Sequence, residues 1–136
     1  MKRVQQFALG LAGITSLGVG AVILVALHAF YASYGIALGP DPNLLSELRA
    51  SGAGLAALGA VMLAGTVRPA LRQAAVVVAL IVFLAFPAGR VLGFVADGMP
   101  SSGILAALVL ELGIAALCLF AFRRGVGSTA TGLAAR

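Results

Sequence analysis

Arg90, Asp97 and Glu111 are the residues of this chain best placed to do chemistry, because they are ionisable side chains set in, or at the end of, long apolar runs. A charge in such a run is costly unless it faces protein or a water-filled cavity. Arg90 and Asp97 are seven residues apart, so on a helix they share one face, with Gly93 between them. Glu111 stands near the middle of the next apolar run. Arg49 enters an earlier run just after Glu47, and a spacing of two turns Glu47 nearly to the opposite side, toward a rim or another helix. Three kinds of work suit these side chains. An arginine–carboxylate pair can fix the register of two helices. A cluster of them can hold a small ligand or ion open to the outside. A carboxylate of altered acidity, Glu111 or Asp97, can act as an acid–base.

The other chemically able residues are isolated. His28 is the single histidine, so two histidine ligands to one haem are excluded within the chain, and its place at the end of an apolar run suits a membrane interface. Cys118 is the single cysteine, which excludes an internal disulfide, and with no histidine near it reads as a packing residue. No P-loop, metal motif or lipidation signal is present, and no cofactor or metal is expected.

The elements that must position the charged residues follow from composition. The chain is 62% hydrophobic and only 10% charged, with a mean hydropathy of +1.13, where a soluble domain carries about 25% charged residues. A 13.6 kDa globule cannot hide so much apolar surface, so the expected solvent is the lipid bilayer. The net charge of +5 comes from residues scattered between apolar runs. That pattern sets membrane orientation rather than binding nucleic acid.

Four spans are expected, at about residues 4–27, 44–67, 71–96 and 103–122, forming one all-α integral membrane four-helix bundle over residues 1–124. The first run is too long for the apolar core of a signal peptide and reads as a retained span. Asp41 can cap the second helix with Pro42 in its first turn, and Pro87 predicts a kink in the third. Residues 125–136 are small and polar and are expected to form a loose tail. Lys2, Arg3, Arg68, Arg72, Arg123 and Arg124 all fall at one side of this arrangement, and Asp41 and Asp97 at the other. By the positive-inside rule both termini are cytoplasmic, in a multi-pass protein of the cell inner membrane.

Since lipid is as apolar as leucine, helices in it associate through small residues that let backbones approach. Ala8, Ala12, Ser16 and Gly20 recur at every fourth position of the first span; Gly52, Ala56, Ala60 and Ala64 of the second; Ala85, Gly89 and Gly93 of the third; Gly103, Ala107 and Ala115, with Glu111, of the fourth. These stripes can meet within the chain or against another subunit. At 1.5 Å per residue, Arg90 lies roughly 10 Å below the turn that joins the last two helices, Glu111 roughly 15 Å below it, and Arg49 roughly 9 Å into the second span. Arg90 and Glu111 should therefore pair, with Arg49 and Asp97 completing a neutral quartet.

The stretch Asp41-Pro42-Asn43-Leu44-Leu45-Ser46-Glu47-Leu48-Arg49 resembles the opening of the second helix in a bacterial membrane family, the domain of unknown function four-three-four-five. Gly89-Arg90-Val91-Leu92, Asp97-Gly98-Met99-Pro100-Ser101 and Glu111 are similar to its pattern as well, so the resemblance runs from the first span to Arg123. It implies a four-helix membrane protein of unknown activity and marks Glu47, Arg49, Arg90, Asp97 and Glu111. The small-residue tail after Arg124 departs from the compact family end. The leading expectation is a non-enzymatic accessory or packing subunit, self-associated or attached to a larger membrane complex. The alternative is a binder or carrier of a small lipophilic or anionic ligand in an arginine- and carboxylate-lined pocket open to the outer side. A membrane enzyme is the third.

Overall fold

The computed structural model describes residues 1–133, with side chains as far as Arg123. Among the described residues the chain is all α, without strands: α1 Arg3–Val25, α2 Leu27–Ala32, α3 Pro42–Val67, a 3₁₀ turn Pro69–Leu71, α4 Arg72–Asp97 and α5 Ser102–Leu133. Four helical stretches, Arg3–Val25, Pro42–Val67, Pro69–Asp97 and Ser102–Arg123, are long and apolar enough to cross a membrane.

Local chemistry sets the boundaries. The first apolar run is not one helix: Ala26 leaves helical geometry (φ −133°, ψ 46°), and α2 continues as a short separate piece. Asp41 caps α3, its carboxylate accepting from the Asn43 N–H at 3.0 Å, and Pro42 opens the helix where no N–H is needed. Pro69 starts the 3₁₀ turn after α3. Pro87 lies inside α4, which stays helical on both sides of it. Gly98 ends α4 at φ +99°, a conformation side chains disfavour. Beyond Arg124, where a loose tail is expected, the helical backbone of α5 runs on to Leu133. No proline interrupts it, and extending an existing helix incurs no nucleation cost. The last three residues of that tail lie outside the described ones.

The four long helices form a ring. α1 packs on α3 most extensively, α3 on α4, α4 on α5 and α5 back on α1, while among the described residues the backbones of α3 and α5 stay apart. In the antiparallel α1–α3 seam, a Cβ on Gly20 would come within 2.5 Å of the Gly52 carbonyl oxygen, and one on Gly59 within 2.9 Å of the Gly13 carbonyl oxygen. Only glycine lets these backbones meet. Ala8, Ala12, Ser16 and Gly20 are all buried, and Ser16 Oγ donates to the Leu55 carbonyl at 2.8 Å.

The other stripes differ from their expected form. On α3 the buried small residues are Gly52, Gly59 and Gly65, whereas Ala60 is exposed. Steps of four overshoot a helical turn, so a strict four-residue stripe drifts around the helix; alternating steps of three and four stay on one face. On α4, Ala85 and Gly89 are exposed, and neither Gly89 nor Gly93 has an atom within 4 Å of where a Cβ would stand. These two glycines make no close helix contact within the chain.

Packing is uneven along the bundle. The buried core of Ala8, Leu9, Met62, Ala79, Ile114 and Cys118, with their neighbours, fills the half that holds Met1 and Arg123. At that end Gln5 Nε2 donates to the Ala121 carbonyl at 3.0 Å, tying α1 to α5. The half toward the 33–41 and 98–101 loops keeps the close Gly20–Gly52 contact of α1 with α3 but has open space between α1, α4 and α5.

Candidate functional site

The loop-side half encloses a half-open cavity of about 800 Å³, within the ~300–1,000 Å³ range of small-molecule sites. α1 contributes Val19 and Ile23, α4 Val82 and Phe86, and α5 Ile104 and Leu110. Arg90, Glu111, Tyr31 and Tyr34 make a polar wall, and Thr15 and Ser16 of α1 add hydroxyls elsewhere in the lining.

Arg90 and Glu111 form a two-pronged ion pair: Nε donates to Oε2 at 2.9 Å and Nη2 to Oε1 at 2.8 Å. Their side chains are 27% and 14% exposed, so the pair sits mostly within the bundle yet borders the cavity. The hairpin through Gly98 makes α4 and α5 neighbours, and helical side chains lean toward their own N-terminus. For Arg90 that direction runs down the bundle, toward the deeper Glu111.

The same lean separates the other members of the expected quartet. Asp97 lies two turns past Arg90, on the side from which the guanidinium leans away, and it is exposed, with no ion pair among the described residues. Arg49 belongs to α3, whose backbone stays apart from that of α5 among the described residues, and it forms no ion pair with Glu111 there. Its Nη1 donates instead to the Leu24 carbonyl. That oxygen lies in the last turn of α1, where the break at Ala26 withdraws the next backbone donor. Arg49 thus caps α1, a favourable place for a cation. Glu47 is exposed on α3, away from the cavity. The quartet is therefore one pair, one helix cap and one loop-end carboxylate.

His28 is exposed and Cys118 fully buried. Among the described residues no three of His, Cys, Asp and Glu gather to hold a metal.

Tyr31 and Tyr34, whose place after the first apolar run suits an interfacial belt of aromatics, belong to the cavity wall. Phe30 packs edge-on against both rings, with centroids 5.2 Å apart in each case. Ser101 Oγ donates to the Tyr34 carbonyl at 2.8 Å and ties this segment to the start of α5. Burial pushes the Tyr31 phenol up from its ordinary value, the positive charge of Arg90 pulls it back down in part, and Tyr34 adds a smaller upward push. The hydroxyl is thus a proton donor at neutral pH. The only sequence signal for this placement is spacing: residues three apart share a face, which an interfacial belt does not require.

No curated protein and no solved structure matches the chain. A family model matches residues 4–122, a stretch that contains all four apolar helices through Phe122 and the whole cavity wall. The chain belongs to the DUF4345 family, a domain of unknown function.

Proposed function

We propose that this protein binds a lipophilic small molecule in the cavity of its loop-side half, as a carrier or receptor rather than an enzyme. The observation that carries the proposal is the cavity itself, about 800 Å³ of mostly apolar wall with the Arg90–Glu111 pair on one side. The expected role as an accessory or packing subunit drew on small-residue stripes of all four helices. The stripe on α1 packs against α3 within the chain, which supports the binding reading over that role. The protein is multi-pass, and we place it in the bacterial inner membrane with both termini in the cytoplasm. Antiparallel pairing sets Arg68 beside the start of α1, and Lys2 lies beside Arg123, so the basic residues gather at one end of the bundle. In that orientation the cavity lies in the outer half of the membrane.

Filling the cavity tests the proposal. Gly89 and Ala107 line it, and Gly89 has open space at its Cβ position. Protein purified in mild detergent should release a lipophilic molecule on denaturation, detected by mass spectrometry. Gly89→Phe and Ala107→Phe should lose that molecule while melting like the unaltered protein. Identical extracts from all three would overturn the proposal.

A further inference from the structure

Resting on that reading, we propose that the occupant is uncharged at its polar end and presents hydrogen-bond acceptors there, as a long-chain ester, ketone or alcohol does, and is neither a lipophilic anion nor a cation. Charge balance supports this first. Among the described residues Arg90 and Glu111 are the only charged side chains lining the cavity, and they neutralise each other through both oxygens of the carboxylate. An anionic head group would have to displace Glu111 from Arg90 or leave an uncompensated negative charge among apolar walls, and a cation would leave the opposite excess.

The hydrogen-bond inventory supports it second. A guanidinium has five N–H donors, and Arg90 gives Glu111 one from Nε and one from Nη2. The remaining donors, together with the hydroxyls of Tyr31 and Tyr34, make no hydrogen bond to protein among the described residues, and all three residues line the cavity. Glu111 already accepts two strong bonds from Arg90, so the uncommitted charge-assisted groups of the wall are the remaining guanidinium N–H donors, joined by the phenol O–H groups of Tyr31 and Tyr34, which can donate or accept. A ligand that matches it brings acceptors. The rest of the lining is mostly apolar, with Val19, Ile23, Leu55 and Val82, which suits a hydrocarbon tail, and the Thr15 and Ser16 hydroxyls are the other polar groups there.

The chain supplies its own reporter. It has no tryptophan and two tyrosines, Tyr31 and Tyr34, both at the polar wall. Tyrosine fluorescence therefore reads this site and no other. In detergent, at a pH where a free fatty acid is ionised, the quenching probes are methyl dibromostearate, dibromostearyl alcohol, dibromostearate and a brominated long-chain trimethylammonium. The ester and the alcohol should quench at concentrations at least about tenfold lower than either charged probe, equivalent to about 1.4 kcal/mol, and Ala107→Phe should abolish the difference. Glu111→Gln frees the Arg90 charge, so it should shift preference toward dibromostearate. Arg90→Gln with Glu111→Gln should remove that shift. Quenching by the carboxylate or the ammonium equal to that by the ester would overturn the inference while leaving the cavity a binding site. If no probe quenches the unaltered protein more than Ala107→Phe, the binding reading fails, and the inference with it. If Glu111→Gln fails to fold, the comparison of the four probes on the unaltered protein still decides.

Discussion

Removing Glu111 should destabilise the protein more than removing Arg90, and removing both should cost least. Breaking a buried pair from one side costs about 3–5 kcal/mol, because the remaining charge is stranded. Here the two side chains are 27% and 14% exposed at a half-open cavity, where water can reach the orphan. That lowers the expected loss for Glu111→Leu to about 2–4 kcal/mol. Arg90→Met strands a carboxylate instead, which can take up a proton as arginine cannot release one, so its loss should be about 1–2 kcal/mol. The double variant strands nothing and should lie within about 1 kcal/mol of the unaltered protein. The coupling between the two changes should then be at least about 2 kcal/mol. Cys118 is the single cysteine and is fully buried, so a thiol-reactive fluorogenic dye reports unfolding in detergent directly. Losses that add to within about 0.5 kcal/mol would mean that the pair does not form, and the charge-balance reasoning for the cavity would fail with it.

Three further outcomes are expected. Gly20→Ala should lower stability by about 1–3 kcal/mol, since its Cβ would press on the backbone of α3, whereas Gly93→Ala, with open space, should gain up to about 1 kcal/mol in helix propensity; melting curves of the two would separate a close seam from a composition effect. On a Cys118→Ala background, an impermeant maleimide should label Gly39→Cys in intact cells and Ser128→Cys only after lysis, and labelling of Ser128→Cys from outside would reverse the topology. The Tyr31 phenol is raised from its ordinary value of 10.0. The fold therefore favours its neutral form, and that contribution, complete below the unfolded value, is lost as pH rises through the folded one. Alkaline destabilisation should be smaller in Tyr31→Phe; an unchanged alkaline limb would remove Tyr31 from the buried wall.

Much of the architecture was legible in the residues. Composition and run lengths require four apolar helices, and Asp41-Pro42 and Gly98 mark boundaries that capping and positive φ impose locally. The Arg90–Glu111 contact was legible as well, because a short hairpin makes α4 and α5 adjacent and the rise per residue puts the two side chains within reach. The chain by itself determined what depends on neighbours in sequence: helix lengths, caps, the one hairpin pair and the gathering of basic residues at one end.

Tertiary structure decided what depends on helices far apart in sequence. Which helix sits across the ring from which has no local signature, and it is the diagonal placement of α3 and α5 that parts Arg49 from Glu111 and hands it to the Leu24 carbonyl. The break at Ala26 lies in an apolar run with no proline and no charge, so nothing in residues 4–27 announces that α2 will set Tyr31 and Tyr34 against Arg90. The cavity is likewise a tertiary property. Small residues close the α1–α3 seam because two backbones meet there, yet the same residue type at Gly89 and Gly93 leaves open space, because what a missing side chain does is settled by the helix that does or does not come to face it.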